Sequence, residues 1–112
     1  MMRIEAIIPP SALEDVASAV DAAGVRRMFV SEISERNFAT GPIGVYRGAR
    51  YRVAVPRVKV EILVTLERCE ELMAVIFHAA RFTSGDDGSV IAHELSEAFL
   101  IKTGTPLEYS DK

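Results

Sequence analysis

Side chains alternate most regularly between charged and apolar in the segment Arg57-Val58-Lys59-Val60-Glu61-Ile62-Leu63-Val64. β-Branched residues occupy every second position, and three of the four residues between them are charged. Because successive side chains of a strand point to opposite faces of its sheet, this pattern predicts a β-strand with one apolar face and one mainly charged face.

Apolar residues recur at helical spacing in two regions, one before and one after this strand. In the first region Ser11 and Glu14 match a capping box, and Gly24 stands where a C-cap glycine is expected. In the second region Thr65 is the predicted N-cap, and an apolar stripe follows it. That stripe consists of Cys69, Leu72, Met73, Ile76 and Ala80.

Further strands are predicted at residues 3–8, 28–34, 90–94 and 98–102. Residues 35–55 contain several turn-forming glycines and prolines, and a connection of this length predicts a functional or mobile loop. The resulting order predicts an α+β fold, a ferredoxin-like βαββαβ sandwich with an extra C-terminal strand. In this fold two helices cover one face of an antiparallel sheet.

The other face of the sheet also has to be covered. Ile7, Val58, Val60 and Ile62 suggest more apolar strand surface than two helices can bury. We therefore expect the chain to form an oligomer through its open sheet face.

The composition narrows the class of protein. A chain of 112 residues with 49% hydrophobic and 26% charged residues is typical of one globular domain, residues 1–112. Its net charge of −3 argues against nucleic acid as a partner. A single cysteine, Cys69, excludes an intrachain disulfide. With no signal-peptide pattern and no apolar run long enough to insert in a membrane, the sequence predicts a cytoplasmic protein.

The long loop contains a candidate partner-binding site. Two tyrosines and two arginines lie close together in it: Tyr46, Arg47, Arg50 and Tyr51. Tyrosine and arginine are enriched among the residues that contribute most to protein interfaces, which favours a binding role over a solvated basic run.

In this order and spacing, the segments resemble the PII signal-transduction family, whose members are trimeric ferredoxin-like regulators. Residues 46–51 resemble the signature of that family's partner-binding T-loop, and residues 56–62 resemble the strand after it. The resemblance implies a T-loop at about residues 36–55, a B-loop at about 82–89 and a C-terminal loop at about 102–112. It also implies an effector site between subunits. The residues of that site are Phe29, Leu63, Gly85, Asp86, Asp87, Gly88, Ser89, Lys102 and Thr103.

The chain departs from the family pattern at the ligand positions. Family members that bind ATP use a B-loop lysine, here Ser89, and two arginines, here Leu100 and Lys102. The glutamine and lysine that help to hold 2-oxoglutarate are replaced by Ala39 and Pro9. Each charge-assisted contact to phosphate contributes roughly 1.5–3 kcal/mol, so this pattern favours a mono- or diphosphate, or a small anion, over MgATP.

Several candidate residues have a plain structural interpretation beside the functional one. Tyr51 corresponds to a tyrosine that is modified in some PII lineages, but a contact residue is the favoured role. Asp86 and Asp87 are more typical of a turn beside glycine than of a cation site. His93 has no second histidine at metal-ligand spacing, so no metal site is predicted.

The resemblance therefore implies a regulator. An enzyme of the same fold is disfavoured because the sequence offers no nucleophile–base pair, no second histidine near the first and no convincing carboxylate dyad, so no catalytic residues are predicted. An adenine nucleotide, AMP or ADP with ATP as an alternative, is the expected effector, and no cofactor is required. The expected partners are a homotrimer and a target protein, either a membrane transporter or a metabolic enzyme. Two alternatives stay open: a ligand-independent interaction protein, and a sensor of bicarbonate or another metabolite in carbon uptake.

Overall fold

The computed structural model describes residues 1–84 and 88–107, with residues 82–84 described by their helical backbone alone. The elements are β1 (Met2–Ile8), a 3-10 turn (Pro10–Ala12), α1 (Leu13–Ala22), β2 (Phe29–Glu35), β3 (Ile43–Tyr46), β4 (Ala49–Arg52), β5 (Val55–Val64), α2 (Leu66–Ser84) and β6 (Ser89–Glu94).

Four of the strands form one sheet in the order β2-β5-β1-β6, and every neighbouring pair is antiparallel. The strands β3 and β4 form a separate two-stranded sheet. With that hairpin set aside, the chain follows the βαββαβ order, which confirms the predicted α+β fold class and its antiparallel sheet.

The core lies between the sheet and the two helices. Val58, Val60, Ile62 and Val64 are all buried, as the alternation of β5 predicts. On β1 the buried residues are Ile4, Ala6 and Ile8. Full burial of a valine or isoleucine side chain stabilises the fold by roughly 1.5–3 kcal/mol.

The prediction that Ile7, Val58, Val60 and Ile62 add apolar surface to the open face was wrong for three of these four residues. Val58, Val60 and Ile62 lie on the face that the helices cover, where they are at most 5% exposed. Ile7, by contrast, is directly opposite Lys59 in the β1–β5 ladder and lies on the open face. Other apolar residues on that face include Phe29 on β2 and Ile91 on β6, which are 52% and 45% exposed.

The helix α1 begins differently from the prediction. Ser11 lies inside the 3-10 turn, Ala12 is the N-cap residue, and no side chain caps the helix. Pro10 begins this turn because its ring holds φ near the helical value, so the predicted capping box of Ser11 and Glu14 was wrong.

The end of α1 follows the prediction. Gly24 has φ +89°, its N–H donates to Asp21 O at 3.0 Å, and Val25 N–H donates to Val20 O at 3.3 Å. These two bonds form the Schellman arrangement, in which a glycine in the left-handed region ends the helix.

The predicted strand at residues 98–102 was also wrong. Leu100 N–H donates to Thr105 O at 2.9 Å, and Leu107 N–H donates to Ala98 O at 2.8 Å. The segment thus folds back on itself through a turn that contains Gly104, at φ +67°. Because its backbone groups bond within the segment, it forms only the isolated bridge between Phe99 and Pro106 instead of joining the sheet.

Candidate functional site

The connection between β2 and β5 folds as a β-hairpin, whereas the sequence predicts only a long loop. Arg47 and Gly48 form its tip and both have positive φ, 52° and 82°. A two-residue turn of type I′ requires positive φ at both central positions, and its twist matches that of the flanking strands. Glycine adopts this conformation without strain, so Gly48 makes the turn possible.

The hairpin has two different faces. Tyr51 pairs with Gly44 and Tyr46 pairs with Ala49, which places both tyrosines on one face. Val45 pairs with Arg50 and Ile43 pairs with Arg52 on the other face. The guanidinium of Arg47 lies 5.4 Å from the centre of the Tyr46 ring. The structure thus brings together the four residues predicted to bind a partner: Tyr46, Arg47, Arg50 and Tyr51.

Hydrogen bonds hold the base of the hairpin. Arg52 Nη1 donates to Gly41 O at 2.6 Å, and Val53 N–H donates to Pro42 O at 2.7 Å. Before Gly41, the Asn37 side-chain oxygen accepts the N–H groups of residues 39 and 40, both at 2.9 Å. This segment therefore has defined local structure from residue 37 to residue 53.

An ion pair joins the two sheet strands where the hairpin leaves them. Arg57 Nε lies 3.0 Å from Glu35 Oε1, and the Arg57 side chain is only 15% exposed. Glu35 is the last residue of β2, so this contact ties the start of the connection to β5. It also partly neutralises Arg57, which makes that side chain a weaker site for an anionic ligand.

The connection carries charge of one sign. Residues 36–54 contain four arginines and no aspartate or glutamate, whereas the whole chain has a net charge of −3. The arginines are Arg36, Arg47, Arg50 and Arg52. A locally positive surface on an acidic protein favours contact with a negatively charged partner surface.

The predicted effector residues are spread across the sheet within one chain. Phe29 lies on the edge strand β2 and Ser89 on the opposite edge strand β6, with β5 and β1 between them. With neighbouring strands about 4.8 Å apart, these two edges are separated by roughly 14 Å. Lys102 and Thr103 lie in the exposed turn after β6. Gly85, Asp86 and Asp87 lie outside the described residues.

Gly88 and Thr103 both have local structural roles. A Cβ atom on Gly88 would stand 2.8 Å from the Ile7 carbonyl oxygen, so glycine is needed for the close approach of this chain to β1. Thr103 Oγ1 and Thr105 Oγ1 share a hydrogen bond of 2.6 Å within the C-terminal turn. Leu63 lies on the open face, opposite Arg3.

The open face of the sheet carries a cluster of charges that the sequence analysis missed. Glu5 Oε1 lies 3.5 Å from Arg3 Nε, and Glu5 Oε2 lies 3.7 Å from His93 Nε2. Lys59 Nζ lies 3.4 Å from Glu61 Oε1, and Glu61 is directly opposite Glu5. Alternation along β1 and β5 places these residues on one face, but only the strand register identifies which of them meet.

Among residues 1–84 and 88–107, no group of three or more His, Cys, Asp or Glu side chains is placed to hold a metal ion. Within the same residues, neither helix combines the length and apolar character that a membrane crossing requires.

Comparison with known proteins gives a consistent match over most of the chain. Residues 1–105 match the family model described as Nitrogen regulatory protein P-II. A protein of that name from Pasteurella multocida is 34% identical over 105 residues, which cover 93% of this chain and 94% of that protein. A protein from Cereibacter sphaeroides with the same name is 35% identical, with the same coverage of both chains. The Nitrogen regulatory protein P-II 2 of Methanothermobacter thermautotrophicus is 35% identical over 93% of this chain and 91% of its own.

Proposed function

The chain belongs to the nitrogen regulatory protein P-II family, and we propose that it regulates a target protein in response to an adenine nucleotide. The effector in this proposal is AMP or ADP, bound between the subunits of a homotrimer in the cytoplasm. The segment at residues 36–55 serves as the T-loop that contacts the target, a membrane transporter or a metabolic enzyme. Residues 82–89 and 102–112 serve as the B-loop and the C-terminal loop.

One observation carries this proposal. The chain keeps an ordered, basic hairpin tip at residues 46–51, while the positions that resemble the phosphate site retain Lys102 as their cation. The triphosphate of ATP presents more phosphate oxygens than one lysine can contact, whereas a mono- or diphosphate presents fewer. The combination favours a regulator whose T-loop contacts a target protein, but whose effector differs from that of the family members that bind ATP.

The distribution of the candidate effector residues supports a site between subunits. Phe29 on β2 and Ser89 on β6 lie on opposite edges of one sheet, so a single chain cannot bring both to one small ligand. A neighbouring copy that placed its β6 edge near β2 of this chain would bring them together. The exposed Phe29 and Ile91 supply apolar area for such association.

The ligand can be tested by titration calorimetry of the full chain with AMP, ADP, ATP and bicarbonate, after light scattering has measured its mass. The proposal expects a trimer that binds AMP or ADP more tightly than MgATP with 2-oxoglutarate. Lys102→Gln should weaken ADP binding at least about tenfold, because it removes one charge-assisted contact to phosphate. Such a contact contributes roughly 1.5–3 kcal/mol, and about 1.4 kcal/mol corresponds to a tenfold change in affinity. Arg26→Gln, which removes an exposed cation far from this turn in sequence, should leave binding unchanged.

Two other functions make different predictions in the same experiments. A bicarbonate sensor would bind bicarbonate and none of the nucleotides. A ligand-independent interaction protein would bind neither, and trypsin would cleave after Arg47 and Arg50 at the same rate with and without nucleotide. A monomeric mass would overturn the inter-subunit site.

A further inference from the structure

The hairpin presents an unpaired strand edge. Within residues 1–84 and 88–107, β3 and β4 pair with each other and with no strand of the main sheet. The outer edge of β4 therefore carries backbone N–H and C=O groups that have no partner strand in the described chain. Such an edge is a template for pairing with an extended segment of another protein.

The register shows which residues face that edge. Val53 N–H donates to Pro42 O, so residues 53 and 42 form a hydrogen-bonded pair. Hydrogen-bonded and non-hydrogen-bonded pairs alternate along an antiparallel ladder. Tyr51 is then hydrogen-bonded to Gly44, whereas Arg52 and Arg50 belong to non-hydrogen-bonded pairs with Ile43 and Val45. The backbone groups of Arg50 and Arg52 consequently point outward.

The side chains of the same two residues define the charge that a partner strand must carry. Arg50 and Arg52 are two positions apart and lie on one face of the hairpin, and Tyr51 lies on the other face and is 48% exposed. A strand added beside β4 would place every second one of its side chains next to Arg50 and Arg52. The side chains between these, on the other face of the added strand, would lie next to Tyr51.

We propose that the free edge of β4 binds an extended segment of the target protein that carries carboxylates at every second position. This inference rests on the proposed function, because it assumes that the hairpin contacts a target. Residues 36–54 contain no aspartate or glutamate, so the carboxylates of such a segment would not be repelled by an acidic side chain of this connection. A peptide strand satisfies a row of alternating donors and acceptors, which a membrane surface or a nucleic-acid backbone does not.

The test uses the full chain and a synthetic peptide with glutamate at every second position and threonine between, labelled for fluorescence anisotropy. A second peptide of the same composition carries its glutamates in one block. The alternating peptide should bind more tightly than the block peptide. Arg50→Glu should weaken its binding at least tenfold, whereas Arg26→Glu, with the same change in net charge, should have little effect.

Backbone pairing is tested separately from charge. N-methylation of the alternating peptide on the alternate residues that face β4 should abolish binding, and methylation of the other residues should not. Hydrogen exchange measured by NMR should slow at the amides of Arg50 and Arg52 when the peptide binds. Equal binding of both peptides, or unchanged exchange at these two amides, would overturn the proposal.

The outcomes for the two proposals are distinguishable. If the peptide fails to bind while ADP does, the strand-edge inference is wrong and the nucleotide-sensing function stands. If the peptide binds and no nucleotide does, the edge site exists in a protein that is not a nucleotide sensor. Equally tight binding to anionic vesicles or to single-stranded DNA would show a non-specific basic surface and would contradict the inference.

Discussion

The aromatic ring of Tyr51 lies over Gly44, its partner across the hairpin, so closely that a Cβ atom at residue 44 would stand 2.6 Å from Tyr51 Cζ. The absence of a side chain at Gly44 thus creates the space that the ring occupies. The pair orients Tyr51 on one face of the hairpin, and the residue as a whole remains half exposed.

Substitution of Gly44 tests this orientation. Gly44→Ala should displace the Tyr51 ring toward solvent, because the far end of a tyrosine side chain moves more easily than the backbone. Nitration by tetranitromethane, followed by mass spectrometry, should become faster at Tyr51 and stay unchanged at Tyr46. The melting temperature should change little, since the hairpin is outside the core. Unchanged nitration at Tyr51 would contradict the proposed packing.

The core makes a prediction about stability. Leu72 is fully buried in α2, whereas Leu66 at the start of the same helix is 65% exposed. Leu72→Ala should lower the free energy of unfolding by roughly 2–5 kcal/mol, because it removes buried area and leaves a cavity. Leu66→Ala, the matched control, should change it by less than about 0.5 kcal/mol. Urea denaturation of both variants measures the difference, and equal effects would place the core elsewhere.

A double-mutant cycle measures the contact at the base of the hairpin. Glu35 and Arg57 should show a coupling energy of about 0.5–1 kcal/mol, since Arg57 is mostly buried but Glu35 is 42% exposed. Glu32 lies on β2 opposite Val58, on the other face of the sheet from Arg57. A cycle between Glu32 and Arg57 should therefore give a coupling near zero. Similar values for the two cycles would mean that the ion pair contributes nothing specific.

The contact between Arg68 and Glu71 predicts a dependence of stability on pH. Arg68 donates to both carboxylate oxygens of Glu71, at 3.2 and 2.9 Å, and also to Ala23 O at 2.9 Å. The hydrogen bonds and charge of Arg68 lower the pKa of Glu71 in the folded state.

Because this pKa is lower in the folded than in the unfolded protein, the contribution to stability is complete above the unfolded pKa. It is lost as pH falls through the folded pKa. An NMR titration should give a lower pKa for Glu71 in the native protein than in Arg68→Ala. A Glu71 pKa that did not rise in the variant would rule out this cause.

Restoring a cation at the candidate phosphate site gives a gain-of-function test. Ser89→Lys should raise the affinity for ATP about tenfold, because one charge-assisted contact to phosphate contributes roughly 1.5–3 kcal/mol. Ser96→Lys adds the same charge at an exposed position after β6 and serves as the control. Calorimetry on both variants measures the effect. An equal gain in the two would indicate general attraction and not a site at residue 89.

Much of the fold follows from short-range patterns. Alternation in β5 predicts which residues share a face, and the helical stripe of Cys69, Leu72 and Ile76 predicts the buried side of α2. Both predictions succeed because the geometry of one strand or one helix determines the spacing of its buried residues. The same local information identified the hairpin tip residues as a group.

Two predictions made from the sequence were wrong because the same backbone groups could form hydrogen bonds in more than one way. Residues 98–102 have the composition of a strand, but their backbone groups bond to residues 104–107, so they do not join the sheet. Ser11 resembles a helix cap, but Pro10 begins a 3-10 turn ahead of it. In each case the chain had two ways to satisfy the same backbone groups, and composition did not distinguish them.

Local sequence patterns were therefore sufficient for the two helices, the four strands of the main sheet, their order and the positive charge of the connection, but not for the hairpin fold of that connection or the turn after β6. The three-dimensional arrangement was needed to establish that Val58, Val60 and Ile62 face the helices, that Glu5 meets Arg3 and His93, and that Phe29 and Ser89 lie on opposite edges. Those relationships depend on strand order and register. Contacts between residues far apart in the chain set both, and no short segment encodes them.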